Sequence, residues 1–280
     1  MNVAGIDTTK PRTQPYVQAI VSGCPGAKKI YDFKKMDEKN LPEEVLIMYG
    51  ILAGGGNVFK WCQEQKHDFI YMDHSYYANC HKPPHWFRLV WNAHTHNYIG
   101  HDTSPDRYNK YFYKELSPWK KDGDTILVLP PTNAIMDFFN AHDWLENTLK
   151  ILKENTDRKI EVREKPYNPN IKKDEYGATI KVDKPTDHKG PVDWKNIFAT
   201  VTYNSTTVID SVRNGVPIFT DKIVNAGAPI SEHDFTKIET PKYTEREPWL
   251  YSLANRSFHI QEMRNGTAWK NLYEQRTNIK

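Results

Sequence analysis

The sequence predicts an α/β protein of two lobes, and three observations support this prediction. The chain has 280 residues, so two lobes of about 120 to 150 residues each are expected. Apolar, strand-like runs alternate with helix-like stretches in both halves. A turn-rich KKDGD at 120–124 separates the two alternations. We therefore expect one lobe over 1–122, a second over 123–245, and C-terminal helices over 246–280 that pack back across the lobes.

The first half contains one clear βαβ unit. An apolar run meets three glycines, a helix-like stretch and a second apolar run, which is the pattern of strand, tight turn, helix and strand. These segments are Val45–Leu52, Gly54–Gly56, Asn57–Gln65 and the run ending at Met72. A further strand is expected at Phe87–Trp91. The proline-containing start predicts only one strand, at Tyr16–Val21.

The second half repeats the alternation of strands and helices. Strands are expected at Thr125–Leu129, Lys159–Val162, 197–203 and 216–220, with helices at His142–Glu154 and 204–215. Residues 166–192, rich in Pro, Lys and Asp, predict a loop or small excursion. The tail over 246–275 predicts helices. Together these patterns favour two Rossmann-like lobes, in which the residues after each strand line a ligand crevice.

The bulk composition excludes several classes of protein. The three cysteines are widely spaced and odd in number, which argues against a disulfide framework and a CxxC metal site. The net charge is only +3, from 38 basic and 35 acidic residues, so any site for a polyanion must be local. No apolar run of about 18 residues and no signal-like N-terminal segment is present, so we expect a cytoplasmic protein without a membrane span.

The stretch TVTYNSTTVIDSVRNGVPIF carries the clearest binding chemistry. A strand that ends in Asn204 and three hydroxyl residues opens a helix, whose N-terminal N–H groups suit a phosphate or pyrophosphate. Ser205, Thr206 and Thr207 would contact that group, and Asp210 would accept hydrogen bonds from ribose hydroxyls. In the alternative interpretation the hydroxyls only cap the helix and Asp210 is solvated.

This stretch resembles the donor-binding segment of GT-B glycosyltransferases, particularly those that build bacterial capsule, with its acidic residue and Gly-x-Pro turn at Gly215-Val216-Pro217. The tail SLANRSFHIQEMRNGTAW resembles the closing helix of that group. With GILAGGGNVFKWCQEQKHDFIYMDHSYY, the chain is also similar to small phage-encoded glycosyltransferases, some of which glycosylate hydroxymethylated DNA pyrimidines. The resemblance covers roughly residues 45–275. It implies a GT-B-like fold with an interlobe cleft.

The resemblance also implies an activity. We expect a glycosyltransferase that moves a sugar from a nucleotide sugar, a UDP-sugar or another, to a hydroxyl, without a further cofactor. The expected acceptor is a hydroxymethylated pyrimidine in double-stranded phage DNA, which would place the protein in the host cytoplasm. The alternatives are a transferase of surface or capsular polysaccharide and a non-catalytic nucleotide-binding protein. An enzyme is favoured because polar residues follow strands in both lobes.

Related transferases place basic residues against the donor phosphates at the end of a second-lobe strand. In KIEVREKP, Arg163 and Lys165 fit that role by charge, although no histidine precedes Pro166. They are equally well explained as solvated charges. Thr132 and Asn133, in the strand-end turn LVLPPTN, are weaker donor candidates. Since no DxD-type motif follows a strand, the helix N-terminus and these cations would replace a metal ion.

Glycosyl transfer to a hydroxyl needs a general base on the acceptor side. Asp73 and His74 end a first-lobe strand and are the catalytic candidates. Asp73 ranks first because inverting GT-B enzymes commonly use a carboxylate, while His74 would serve instead or bind the acceptor. The alternative is that Asp73 only forms a turn.

Acceptor contacts are expected from glycines and from the aromatic and basic side chains that interleave between Lys82 and Lys114. Glycines permit close backbone approach but also suit a flexible turn. The mixed stretch would suit DNA with a flipped base, a sugar polymer, or a core strand with a charged rim. The acceptor candidates are Gly55, Gly56, Tyr76, Arg88, His96 and Arg107.

The same region contains five histidines, a residue type that commonly binds metal ions. They are His81, His85, His94, His96 and His101. No HExxH motif or Cys/His pairing accompanies them, so exposed or stacking histidines are expected and no metal site is predicted.

Overall fold

The computed structural model describes residues 2–8, 13–26, 29–37, 39–164, 179–182 and 192–277. The chain forms two compact units. Unit 1 comprises Met1–His96, Gly100–Phe112 and Tyr251–Lys280, and unit 2 comprises Asn97–Ile99 and Tyr113–Leu250. The chain therefore passes from one unit to the other mainly at 112/113 and 250/251. The C-terminal segment belongs to unit 1.

Unit 1 is built on a six-stranded mixed sheet. Its strands are β1 (Val3–Asp7), β2 (Lys29–Asp32), β3 (Val45–Tyr49), β4 (Phe69–His74), β5 (Trp86–Trp91) and β11 (Ser257–His259). Their order is β11-β5-β4-β3-β1-β2. The four strands from β4 to β2 are parallel, whereas β5 runs antiparallel to β4 and β11 antiparallel to β5. The helices are α1 (Gln14–Gly23), α2 (Gly55–Glu64), α3 (Asp106–Tyr111), α8 (Ile260–Arg264) and α9 (Thr267–Thr277).

The predicted βαβ unit is confirmed as β3, α2 and β4. Leu46, Ile47 and Met48 are fully buried in β3, as expected for a parallel strand covered on both faces. Gly54, the N-cap residue of this helix, has a φ of 96°, a conformation that favours glycine. The pairing of β3 with β4 is parallel, so both strands end at the same edge of the sheet.

Unit 1 differs from the prediction near both ends, and β1 and β2 were not predicted. Tyr16–Val21, predicted as a strand, lies in α1, where Pro15 occupies the first turn and Val17, Ile20 and Val21 are buried. The tail predicted as helical contains β11 between helices. Here α8 and α9 pack on α1, so both ends of the described chain contribute to one core.

Unit 2 is built on a five-stranded sheet in the order β10-β9-β6-β7-β8, with parallel pairing throughout. The strands are β6 (Thr125–Leu129), β7 (Lys159–Glu164), β8 (Thr179–Val182), β9 (Ile197–Thr202) and β10 (Ile218–Thr220). The helices are α4 (Asn133–Phe139), α5 (Trp144–Asn155) and α6 (Val208–Arg213). The helix α7 (Glu247–Ala254) contains the second passage between the units, at 250/251. The predicted strands around β6, β7, β9 and β10 are confirmed, and β8 falls in the region predicted as a loop.

A buried apolar core holds the unit 2 sheet together. Ile126, Val128, Val162 and Val201 of the central strands are completely buried. Leu149 and Leu152 of α5 pack against the same cluster. Because the core fixes the parallel strands, it also fixes the loops that follow their carboxyl ends. None of the helices in the described part of the chain is long and apolar enough to cross a membrane.

Candidate functional site

Asp73 and His74 are the last two residues of β4, at the carboxyl edge of the parallel strands of unit 1. Arg88 lies directly opposite Asp73 on β5 and donates through Nη2 to Oδ2 at 3.1 Å. The Tyr71 hydroxyl donates to the same oxygen at 2.8 Å, and the His74 amide donates to Oδ1 at 2.7 Å. Both carboxylate oxygens are therefore engaged, while the side chain keeps 22% of its exposure.

Opposing effects act on the pKa of Asp73. Burial by itself would raise it, but the Arg88 guanidinium, followed by His74 and His94, outweighs burial and lowers the pKa to about 2. The group is thus a permanently ionised hydrogen-bond acceptor at neutral pH. Its basicity is low, so it would take a proton only from a hydroxyl that becomes acidic as the new bond forms.

His74 belongs to a polar cluster with Cys80, His81 and Tyr49. Nδ1 of His74 accepts from the Cys80 amide at 3.1 Å and lies 3.1 Å from Cys80 Sγ. The Tyr49 hydroxyl lies 3.0 Å from Sγ and 3.3 Å from Nε2 of His81. Burial raises the pKa of the Cys80 thiol to about 12, the opposite of what a nucleophilic cysteine needs.

Three predicted acceptor residues lie in the interior of unit 1. Tyr76 is 2%, His96 1% and Arg88 6% exposed. The Tyr76 hydroxyl accepts from the His96 amide at 2.8 Å, and His96 Nε2 contacts the Ser252 hydroxyl at 2.9 Å. Burial and the charge of Arg256 hold the pKa of His96 well below its usual range. Their contacts are those of a buried polar network, which an acceptor would have to disrupt.

The other predicted acceptor residues also make internal contacts. Arg107 forms a bidentate pair with Glu262, with both N–O distances 2.7 Å. The amides of Gly55 and Gly56 donate within their own turn. A Cβ on Gly55 would lie 2.1 Å from the Gly50 carbonyl oxygen, so a close turn requires this glycine.

The interleaved aromatic and basic side chains do not form one exposed stripe. Trp86 and Tyr108 are buried, as Arg88 is, whereas Tyr111 and Tyr113 are exposed. Tyr111 instead lies near Trp86 and Arg107 within unit 1. The burial of several members matches the alternative of a core strand with a charged rim.

In unit 2, the predicted donor residues Asn204, Ser205, Thr206 and Thr207 follow β9 at the carboxyl edge of the sheet and are partly exposed. The Ser205 hydroxyl accepts from the Thr207 amide at 3.2 Å and donates to the Thr207 hydroxyl at 3.0 Å. The Thr206 hydroxyl has no hydrogen-bond partner among the described residues. Ser205 therefore shapes the turn, and Thr206 presents a hydroxyl available to a ligand.

The remaining donor candidates come from three elements of unit 2. Asp210 lies in the first turn of α6 and Thr132 is the N-cap residue of α4, without a side-chain capping bond. Arg163 is partly exposed in β7. Because β6, β7 and β9 are parallel, Thr132, Arg163 and the loop after β9 belong to the same edge. Lys165 lies outside the described residues.

Three buried oxygens lie near the ends of unit 2 strands, and of their residues only Asn133 was a predicted donor candidate. They are Oδ1 of Asn133, Oε1 of Glu164 and Oγ1 of Thr220, and none has a hydrogen-bond partner among the described residues. Burial raises the pKa of Glu164 to about 7. Side chains alternate between the two faces of the strand Lys159–Glu164, which places Glu164 on the same face as Ile160 and Val162. This alternation could have identified Glu164 as a buried residue from the sequence. Buried polar atoms without partners commonly mark a ligand site.

A pocket of about 430 Å³ adjoins the end of β10 in unit 2. Trp144, Thr220, His233 and Phe235 are among its lining residues. Its volume falls within the range of small-molecule sites, and aromatic and polar side chains both line it.

Comparisons with known proteins find similar folds among solved structures. No family model and no curated protein sequence matches the chain. Among solved structures, Thermosulfurimonas dismutans KpsC, described as a beta Kdo 2,7 transferase, matches with a TM-score of 0.52 and 8% sequence identity. The match covers 96% of this chain and 99% of that one. The two chains therefore share a fold over nearly their whole length.

Proposed function

We propose that this chain is a glycosyltransferase that binds a nucleotide-sugar donor on unit 2. The observation that carries the proposal is the carboxyl edge of the unit 2 sheet. Thr132, Arg163 and Thr206 follow or end parallel strands there, and the buried oxygens of Asn133 and Glu164 have no hydrogen-bond partners among the described residues. Carboxyl edges of parallel α/β sheets are the usual place for nucleotides. The shared fold with a sugar transferase adds support.

In this proposal unit 1 presents the acceptor hydroxyl. Asp73 is the candidate base, because its ionised carboxylate lies at the end of β4 and remains partly exposed. Arg88 keeps the carboxylate ionised and oriented. Donor phosphates would be met by Arg163 and by hydroxyl and amide groups after β9.

A saccharide hydroxyl is the acceptor that the fold favours, since the matching structure is described as a Kdo transferase. The hydroxymethylated pyrimidine predicted from the sequence receives no support from the fold match. The burial of Trp86, Arg88 and Tyr108 also removes part of the surface that DNA was expected to contact.

The test is a transfer assay with a donor panel. The purified chain is incubated with UDP-, GDP- and CMP-activated sugars, Kdo included, and with saccharide acceptors or hydroxymethylated or plain DNA. A mass gain on a saccharide supports the proposal as written. A gain on DNA alone would replace the acceptor, and failure of every donor to bind or react would contradict the proposed function.

A matched pair of variants locates the donor. Thr206→Ala should weaken binding of the active nucleotide, measured by calorimetry. Thr156→Ala provides the control, because Thr156 precedes β7 and so lies toward the opposite edge of the same sheet. Equal affinities of the two variants would place the donor elsewhere.

A further inference from the structure

The polar cluster at the end of β4 contains a set of side chains suited to a metal ion. One ring nitrogen from His74, one from His81 and the Cys80 Sγ lie within 4.8 Å of one another. Tetrahedral zinc has bonds of about 2.0 Å to nitrogen and 2.3 Å to sulfur, which places its ligand atoms about 3.3 to 3.7 Å apart. Side-chain shifts of about 1 Å would therefore close the three ligands around one ion.

The surroundings of the three ligands favour an ion of this class. Sγ of Cys80 lies 3.1 Å from Nδ1 of His74 and 3.0 Å from the Tyr49 hydroxyl, so three polar atoms lie close together. A thiolate with two imidazoles selects zinc and similar transition ions over magnesium or calcium. Cys80 is fully buried, while His74 and His81 are partly exposed, which leaves a side open to solvent.

Tyrosine hydroxyls fix the ligands from outside the set. Tyr49 lies within hydrogen-bond distance of both Cys80 and His81. The Tyr16 hydroxyl lies 3.4 Å from Nδ1 of His81. The His81 nitrogen that binds the ion would give up its tyrosine contact, and the tyrosine on the other nitrogen would orient the ring.

We infer that His74, Cys80 and His81 form a binding site for Zn²⁺, with a fourth position for water. Binding replaces the thiol proton of Cys80, which leaves to solvent, and leaves one thiolate and two neutral imidazoles on the ion. The site lies within unit 1 and does not depend on the proposed transferase activity. A zinc-bound His74 would not act as the general base, so the inference leaves that role to Asp73.

The test is a zinc titration of the full chain without an affinity tag, after chelation and removal of the chelator. Calorimetry should give one Zn²⁺ per chain. Cobalt should give a thiolate-to-cobalt charge-transfer band. Cys80→Ser should abolish that band and weaken zinc binding at least 100-fold, while Cys62→Ser, the control at an equally buried cysteine, should change neither.

His81→Ala provides a second variant at a partly exposed position, in case Cys80→Ser fails to fold. It should also weaken zinc binding at least 10-fold, with an unchanged circular dichroism spectrum in the absence of metal. Absence of stoichiometric zinc binding to the wild-type chain would overturn the inference. Zinc binding to a folded Cys80→Ser or His81→Ala variant at wild-type affinity would overturn it as well.

Discussion

Asp73 combines a possible chemical role with a structural one, because its carboxylate faces Arg88 across two strands. The pKa of about 2 lies below the ordinary value of 3.8. The ionised form therefore stabilises the fold above about pH 4, and this contribution disappears as the pH falls through about 2. The shift corresponds to about 2 kcal/mol.

The first prediction is that Asp73→Asn lowers turnover by about two to four orders of magnitude while donor affinity stays near that of the wild type. The variant keeps a hydrogen-bond acceptor but loses the base. In the wild type the acid limb of the kcat/KM profile should lie below pH 4, because the base titrates at about 2. An acid limb near the ordinary histidine value of about 6.5 would assign the base to His74 instead.

Glu164 shows the opposite titration behaviour. Its folded pKa of about 7 exceeds the ordinary 4.5 because burial disfavours the charged form. The stabilising contribution is complete below about pH 4.5 and is lost as the pH rises through 7.

The second prediction follows from the upward shift of the Glu164 pKa. Wild-type unit 2 should be about 2 to 3 kcal/mol more stable at pH 5 than at pH 8, and Glu164→Gln should remove most of that difference. Urea unfolding at pH 5 and at pH 8 measures this difference in stability. Nucleotide-sugar affinity should also fall above pH 7 in the wild type but not in the variant, since the carboxylate would repel phosphate. A wild-type stability that rises over this range would contradict the assignment.

At the scale of elements, the turn between β9 and α6 contains one hydroxyl that shapes the turn and one that is available to a ligand. Ser205 bonds to Thr207, whereas Thr206 presents its hydroxyl without such a bond. The third prediction is that Ser205→Ala lowers the free energy of unfolding by about 0.5 to 1.5 kcal/mol and Thr206→Ala leaves it unchanged. Together the two changes should weaken donor binding by about 1 to 3 kcal/mol, as calorimetry would measure. Unchanged donor affinity in the double variant would show that both hydroxyls only shape the turn.

The connection after α6 depends on Gly215, which has a φ of 73°. A Cβ there would lie 1.9 Å from the Pro118 carbonyl oxygen. Gly50 has a similar φ of 63°, but a Cβ would meet nothing within 4 Å. The two glycines therefore share a backbone conformation and differ in available space.

The fourth prediction uses this difference. Gly50→Ala should cost about 1 to 2 kcal/mol from backbone conformation alone, and Gly215→Ala about 2 kcal/mol more from the clash. Denaturant unfolding of both variants measures the two costs. Equal costs would mean that the Pro118 segment moves aside easily.

Sequence periodicity predicted the elements whose apolar runs are long and flanked by turn residues. The β3, α2 and β4 unit and the strands β6, β7, β9 and β10 are of this kind. It failed at Tyr16–Val21, because a short apolar run fits either a strand or a helix face and Pro15 suits a helix start. It also missed β11, whose three residues pair with β5 only through contacts distant in sequence.

The candidate site was predicted unevenly for the same reason. Strand ends locate Asp73 and the loop after β9, since local patterns reveal where a strand stops. The cluster of His74, Cys80 and His81 was not found, because no familiar ligand spacing marks it and Tyr49 joins it from another strand. Burial of Arg88 and His96 likewise depends on tertiary packing.

At the scale of the whole molecule, the proposed donor and metal sites belong to different units. Among the described residues, His74, Cys80 and His81 form a potential metal-ligand cluster. All three belong to unit 1. The donor candidates of unit 2 are instead hydroxyls, amides, the carboxylate of Asp210 and Arg163.

The fifth prediction is that donor binding to unit 2 needs no divalent ion. Affinity for the active nucleotide sugar should be equal within about twofold in excess EDTA and in millimolar Mg²⁺, because cations and N–H groups would neutralise the phosphates. Calorimetric titrations in the two buffers provide the measurement. A loss of binding in EDTA that Mg²⁺ restores would require a magnesium site in unit 2.

The division of unit 1 between distant parts of the chain also bears on protein synthesis. Val17 and Ile20 of α1 share a core with Met263 and Trp269, while unit 2 draws almost entirely on the residues between 113 and 250. Because domains fold while the chain grows, unit 2 can fold before α8 and α9 have left the ribosome and can pack on α1. Unit 1 is thus completed after unit 2, and the side of α1 that packs on α8 and α9 stays uncovered until those helices have been made.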